Sequence, residues 1–195
     1  MMISRSYLIF SFALLPICTL AADGEFRGIQ PGSVIGFVGA GPGYDSSSSG
    51  IHPSFGGGLA IGLTQHFGLF AESDYTMIPT PSPSTSYILG ILPVCFCGGN
   101  RPDLVNIAAG LELVGSNHSH FVPYAKIGPG FGHADHGFSD YVGTSAAAIA
   151  FGGGLRVYIK KNFGIQAQAL AQHYIGGSGG GTTMLPTFGV FLQSR

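Results

Sequence analysis

The chain has 195 residues, 45% of them hydrophobic and only 9% charged, with a formal net charge of -1. Roughly 25% charge is usual in a soluble domain, so something other than a charged surface must meet the surroundings, and no basic stripe supports a nucleic-acid partner. The 33 glycines follow no three-residue period, which excludes collagen, and 15 phenylalanines are too many for a disordered Gly/Ser chain.

The first 22 residues read as a signal peptide. Arg5 opens them, an apolar core spans 7–15, Pro16 breaks it, and Thr19-Leu20-Ala21-Ala22 precedes Asp23. The core is too short for a spanning helix. Without this leader, and so without Arg5, seven Lys and Arg stand against nine Asp and Glu. The remaining length suits one domain. After the leader no run of 18 apolar residues survives the intervening Gly, Ser, Thr, His and Pro. A membrane reading would therefore have to satisfy the backbone between strands.

Residues 23–32 are a polar lead-in, and 33–195 carry the strand pattern. A first strand is predicted over 33–44 and a second over 54–63, with the polar loop DSSSSGIH (45–52) between them. Thr64-Gln65-His66 turns the chain into a third strand, 67–78. The Pro- and Ser-rich stretch 79–102 cannot be regular sheet throughout. A fourth strand, 103–115, turns at 116–120 into a fifth, 121–133. After a loop come a sixth strand (146–159), the turn Lys160-Lys161-Asn162, a seventh (163–175), a Gly/Ser loop and an eighth (183–192). FGGGLAIGLTQHFG (55–68) and FGGGLRVYIKKNFG (151–164) are the same hairpin written twice, and strict alternation of long and short connections is the signature of an up-and-down barrel.

The faces decide between a soluble and a membrane barrel. In the third strand Leu69, Ala71, Ser73, Tyr75 and Met77 oppose Glu72, Asp74 and Thr76, and in the fourth Val105, Ile107, Ala109, Leu111 and Leu113 oppose Asn106, Ala108, Gly110 and Glu112. The sixth sets Phe151, Leu155, Val157 and Ile159 against Arg156, Tyr158 and glycines, and the seventh Ile165, Ala167, Ala169 and Ala171 against Gln166, Gln168, Leu170 and Gln172. The polar face lacks the Lys and Glu that wet a soluble surface. It is expected to line a narrow lumen, where Gly56, Gly58, Gly152 and Gly154 leave room for Tyr124, Tyr158 and Arg156. Tyr44, Tyr75, Tyr141 and Tyr174 are expected as an interfacial girdle on the long-loop side, with Phe67, Phe121 and Phe163 at the turn side.

On FGGGLAIGLTQHFGLFAESDY, FVPYAKIGPGFG, AFGGGLRVYIKKNFGIQAQALAQHY and the closing LPTFGVFL, the chain resembles the OmpA/OmpX-like superfamily of small outer-membrane β-barrels. The resemblance implies an all-β, eight-stranded antiparallel up-and-down transmembrane barrel in a cell outer membrane, with short periplasmic turns and longer outer loops. Outer-membrane lipids would be its surroundings and the outer loops its contact surface for an extracellular ligand or protein. A closed barrel has no free edge that demands a partner, so a monomer is expected.

Glu72, Glu112, Lys126 and Arg156 form the sharpest constellation. They fall on the inward face of consecutive strands at comparable heights, and buried ions need such partners. Arg156 is expected to bridge one carboxylate with its fork while Lys126 compensates the other. A plug that fixes the barrel is favoured over a polar passage, because eight strands leave little free lumen. Elsewhere the signals are thin. Cys95 and Cys97 are too close for an unstrained disulfide and make half a tetrahedral site. His133, Asp135 and His136 could approach a metal, His118-Ser119-His120 pairs a base with a hydroxyl, and His173 and Ser178 are the one such pair near outer-leaflet height. No elbow, phosphate loop or zinc-helix motif appears. The expected function is non-enzymatic and structural or surface-interactive, without cofactor, and the apolar loop segment 87–100 is the best contact candidate. A small-solute channel and a lipid-modifying enzyme are the alternatives.

Overall fold

A computed structural model describes residues 29–45, 51–77, 103–115, 119–134, 145–175 and 181–194. They form eight strands: β1 (Val34–Asp45), β2 (Ile51–Gly62), β3 (Phe67–Met77), β4 (Asp103–Val114), β5 (Phe121–Ala134), β6 (Ser145–Lys160), β7 (Phe163–Ile175) and β8 (Thr182–Gln193). Each pairs antiparallel with its sequence neighbours, and β8 returns to β1, so the sheet closes as an up-and-down barrel. The two FGGGL repeats are the β2–β3 and β6–β7 hairpins. Ile51 and His52, expected in a loop, instead extend β2 opposite Tyr44 and Gly43. The polar spelling of that stretch hides a strand whose alternate residue, His52, turns inward.

The short-turn end is stitched more tightly than strand pairing alone requires. The backbone amide of Val114 donates to His66 O at 2.8 Å, and that of Tyr158 donates to His120 O at 2.9 Å. The same two histidines place Nδ1 3.3 Å from Val114 O and 2.7 Å from Tyr158 O. Each turn thus satisfies the end of the next hairpin. At the entry to β1, Ser33 N donates to Gln30 O at 2.9 Å around Pro31-Gly32, with Gly32 at φ 79°, the proline-then-glycine pattern of a type II turn. Ile29, within the expected lead-in, is fully buried and closes the barrel floor beside Gly62 and Gly68.

Side chains alternate along every strand. Val38, Leu59, Leu111, Ile127, Phe188 and Leu192 are more than half exposed on the outer wall, while Ile35, Phe37, Phe70, Val122, Tyr158 and Phe191 are buried inside. An apolar band running round the whole wall is far larger than the patches soluble monomers tolerate, and it calls for hydrocarbon rather than water. Three prolines lie abreast on this wall toward the long-loop end. Pro42 pairs with Pro53, and the register that carries Ala40↔Phe188 to Tyr44↔Met184 puts Pro186 opposite Pro42. None of the three has an N–H to leave unpaired in lipid.

Tyr44 and Tyr75 face outward, and Phe55 stacks on Tyr75 at 5.0 Å. Phe67, Phe121 and Phe163 also face outward at the turn end. Tyr174, expected beside them at the rim, is instead buried in the lumen, because His173 takes the outward position and parity turns its neighbour in. Tyr141 lies outside the described residues. The inward glycines do make room: a Cβ at Gly56 would overlap the Asp74 carboxylate, and one at Gly154 would stand 2.7 Å from the Tyr124 hydroxyl. At Gly58 and Gly152 the obstacle is the neighbouring strand's backbone, so these glycines also let adjacent strands approach.

A charge placed on the band should report its surroundings. Leu111→Arg is expected to destabilise the barrel by about 2–4 kcal/mol in phospholipid vesicles, the cost near a bilayer midplane. Urea unfolding followed by far-ultraviolet circular dichroism checks it, since the chain has no tryptophan.

Candidate functional site

The charged interior is built from one inward position on each of β3, β4, β5 and β6. Glu72, Glu112, Lys126 and Arg156 are each 3% exposed or less. Arg156 grips Glu112 with both arms of its guanidinium, Nη1 donating to Oε1 at 2.7 Å and Nη2 to Oε2 at 2.8 Å. Its Nε donates to Gln166 Oε1 at 3.1 Å, so three of its nitrogens have acceptors. Charge-assisted bidentate bonding of this kind offsets the desolvation of both ions.

Lys126 makes the second pair, donating to Glu72 Oε2 at 2.6 Å and to Gln168 Oε1 at 3.1 Å. In register it stands directly opposite Glu112, not Glu72. The Arg156 fork occupies both Glu112 oxygens, and the flexible Lys stem reaches over β4 to β3. Its ammonium also lies 4.6 Å from the Phe37 ring centroid, 5.1 Å from that of Phe70 and 5.3 Å from that of Tyr124, and Arg156 Cζ is 4.3 Å from the same Tyr124 ring. The aromatic faces supply further favourable electrostatics in a dry interior. Tyr124 donates its hydroxyl to Gln168 Oε1 at 3.0 Å, and Gln166 Nε2 donates to the same oxygen at 3.1 Å, which ties the two pairs into one network.

The glutamines Gln166, Gln168 and Gln193 belong to this site and carry no charge that would single them out. Gln193 accepts from the Tyr158 hydroxyl at 2.7 Å, and Tyr158 meets Phe191 edge to face at 4.8 Å. The signal that finds them is parity alone: Gln166 and Gln168 alternate with Ile165, Ala167 and Ala169. Below the ion pairs the lumen is filled by Ile29, Ile35, Phe37, Phe70, Val114, Val122 and Phe191. Side chains thus occupy the barrel on its short-turn side.

The other candidates are placed differently. Ser119 Oγ donates to Phe121 O at 2.8 Å and accepts from Phe121 N at 3.0 Å, so with His120 it shapes the turn. His133 Nδ1 is 2.7 Å from Ser145 Oγ and His173 Nδ1 is 3.0 Å from Thr182 Oγ1, both on the outer rim. His118, Asp135, His136, Ser178, Cys95, Cys97 and the 87–100 segment lie outside the described residues. Among the described residues no group of three His, Cys, Asp or Glu is arranged to hold a metal ion.

Solved structures share this architecture. The attachment invasion locus protein Ail of Yersinia pestis matches with a TM-score of 0.55 at 15% identity, over 85% of this chain and 100% of that one. Neisserial surface protein A matches at 0.54 and 16%, over 86% and 98%. The N-terminal β-barrel domain of Pseudomonas aeruginosa OprF matches at 0.51 and 16%, over 84% and 98%. At such identities the likeness establishes the fold. No family model and no curated protein matches the sequence.

Glu112→Gln strands the Arg156 charge and is expected to cost about 3–5 kcal/mol, whereas Glu112→Leu combined with Arg156→Met should cost less than either single change. Denaturant titration of the three variants in detergent micelles checks the ordering.

Proposed function

We propose that the protein is a non-enzymatic outer-membrane barrel whose work is structural or surface-interactive, with an N-terminal signal peptide over residues 1–22 and the barrel beginning after a short lead-in. One observation carries most of this reading: a closed eight-stranded wall whose outer face is apolar and whose interior is occupied by side chains. Such an object needs lipid around it, and the apolar floor and the ion pairs fill its short-turn half. Its rigid wall holds the connections of the long-loop end at the far side of the bilayer, where contacts with other molecules would be made.

The ion network serves this role as a strut. Glu72, Glu112, Lys126 and Arg156 join four consecutive strands across the lumen, and the aromatic rings around Lys126 leave the pairs out of water. A strut of buried charges resists separation of the staves because breaking either pair strands an ion. The passage reading has less support, since the pairs sit above an apolar floor of Phe37, Phe70 and Phe191.

The names of the similar structures support a role at the surface. Ail is described as an attachment and invasion protein and has been solved with the heparin analogue sucrose octasulfate. A polyanion of that kind is a poor fit to the described part of this chain. Its cations are Lys126 and Arg156, buried, and Lys160 and Lys161, exposed at the short-turn end. An uncharged or apolar partner at the long-loop end suits the chain better.

Reconstituted in planar bilayers, the purified barrel is expected to give no steady conductance above the bare membrane. Discrete ohmic steps that grow when Phe70→Ala, still folded, thins the apolar floor would favour the channel instead.

A further inference from the structure

The two ion pairs neutralise four of the five charged side chains placed inside the described barrel. The fifth, Asp74, is 3% exposed and stands outside both pairs. It lies beyond Glu72 on β3, toward the long-loop end, in a part of the lumen that the network does not use. Around it the polar atoms are buried and unmatched. Asp74 Oδ2, Glu72 Oε1, Thr76 Oγ1, Asn106 Nδ2 and both amide atoms of Gln172 have no hydrogen-bond partner. Unmatched buried polar atoms each cost on the order of 1–3 kcal/mol, so several in one place call for an occupant.

These groups lie along one stretch of the inward face. Glu72, Asp74 and Thr76 are successive inward residues of β3, and Asn106 is directly opposite Asp74 on β4. Asn106 Oδ1 is fixed by the Tyr174 hydroxyl at 2.6 Å. Gln172 is wholly buried on β7, and its Oε1 lies 3.2 Å from where a Cβ of Gly130 would stand. Gly130 pairs with Ala108, and Ala108 pairs with Glu72. The inward residues between the Gln172 amide and Glu72, Gly130 and Ala108, are therefore small. Gly56 completes the clearance, because any Cβ would overlap the Asp74 carboxylate. Lys126, bonded to Glu72 Oε2, and Tyr174, bonded to Asn106 Oδ1, are the inward titratable groups that adjoin these residues, and His52 lies two inward positions beyond Gly56 along β2.

We propose that this cluster of inward oxygens is a binding site for a hard cation, of which calcium is the type. Asp74 supplies the compensating charge, and Glu72 Oε1, Thr76 Oγ1 and Gln172 Oε1 supply oxygen. The donor set is all oxygen, without the imidazole or thiolate that select softer metals. A proton on Asp74 would neutralise it but would leave the Gln172 carbonyl and the Glu72 and Thr76 oxygens unmatched. A cation with its waters matches them together, and the amide nitrogens of Asn106 and Gln172 then hold those waters. The ion adds a tie between β3 and β7 above the ion pairs. The assignment stands apart from the surface role, since it needs only the lumen.

The test uses the mature full chain folded in nonionic detergent, stripped with EDTA and titrated calorimetrically with calcium chloride, then with magnesium chloride. One saturable calcium site per chain is expected, with a rise in Tm on saturation. Asp74→Asn should weaken binding at least tenfold while keeping the circular dichroism of the barrel, and without calcium it should melt no lower than the parent. Gln172→Leu should weaken binding several-fold, and it decides the matter if the Asp74 variant fails to fold. Absence of saturable binding of either cation, or an affinity unchanged by both substitutions, overturns the proposal.

Discussion

Everything in this molecule follows from the need to satisfy backbone hydrogen bonds where water cannot. A strand edge in hydrocarbon leaves N–H and C=O groups unmatched at several kcal/mol each, so the sheet has to close. Here closure is made by β1 and β8, paired from Ile35↔Gln193 to Asp45↔Thr183. Once the wall is closed, the two-residue period of a strand forces every second side chain into lipid and every other into a narrow lumen. Pro42 and Pro186 stand opposite each other across this seam, and Pro53 pairs with Pro42 on the other side of β1. The same rule explains why so apolar a chain carries no helix long and apolar enough to cross a membrane among its described residues.

The number of strands then fixes what the interior can be. Eight strands leave space for little beyond side chains, and this chain arranges them in layers. Apolar residues seal the short-turn end, with Ile29 reaching in from ahead of β1. The bidentate Arg156–Glu112 pair and the Lys126–Glu72 pair cross the middle. Polar groups with unmatched atoms line the part toward the long loops.

Much of this was legible in the residues. The duplicated FGGGL hairpins, the alternation in β3 and β4, and the long-short rhythm of connections were enough for the barrel and for its orientation of faces. The heights of Glu72, Glu112, Lys126 and Arg156 along their strands indicated that they could meet. Which carboxylate goes to which cation was not legible, because the barrel's stagger and the reach of each side chain decide it. Lys126 stands in register with Glu112 yet bonds to Glu72, since the arginine fork claims both oxygens of its neighbour.

Other features escaped for equally local reasons. Tyr174 was misread because proximity to a loop suggested an interface, whereas the parity of His173 sends it inward. Ile29 carried no signal in a polar lead-in, and its burial depends on the Pro31-Gly32 turn that folds it over the floor. The unmatched atoms around Asp74 are invisible without coordinates, because each residue alone reads as an ordinary polar position in a lumen. The central claim, that the apolar face meets hydrocarbon, is open to direct measurement with single spin labels along β4, in a background with Cys95 and Cys97 changed to serine. In lipid vesicles, labels at Ile107, Ala109, Leu111 and Leu113 should collide with oxygen and be shielded from a water-soluble nickel reagent, while a label at Ala108 should be poorly accessible to oxygen. Outward positions that collide freely with the nickel reagent across the whole strand would contradict the account.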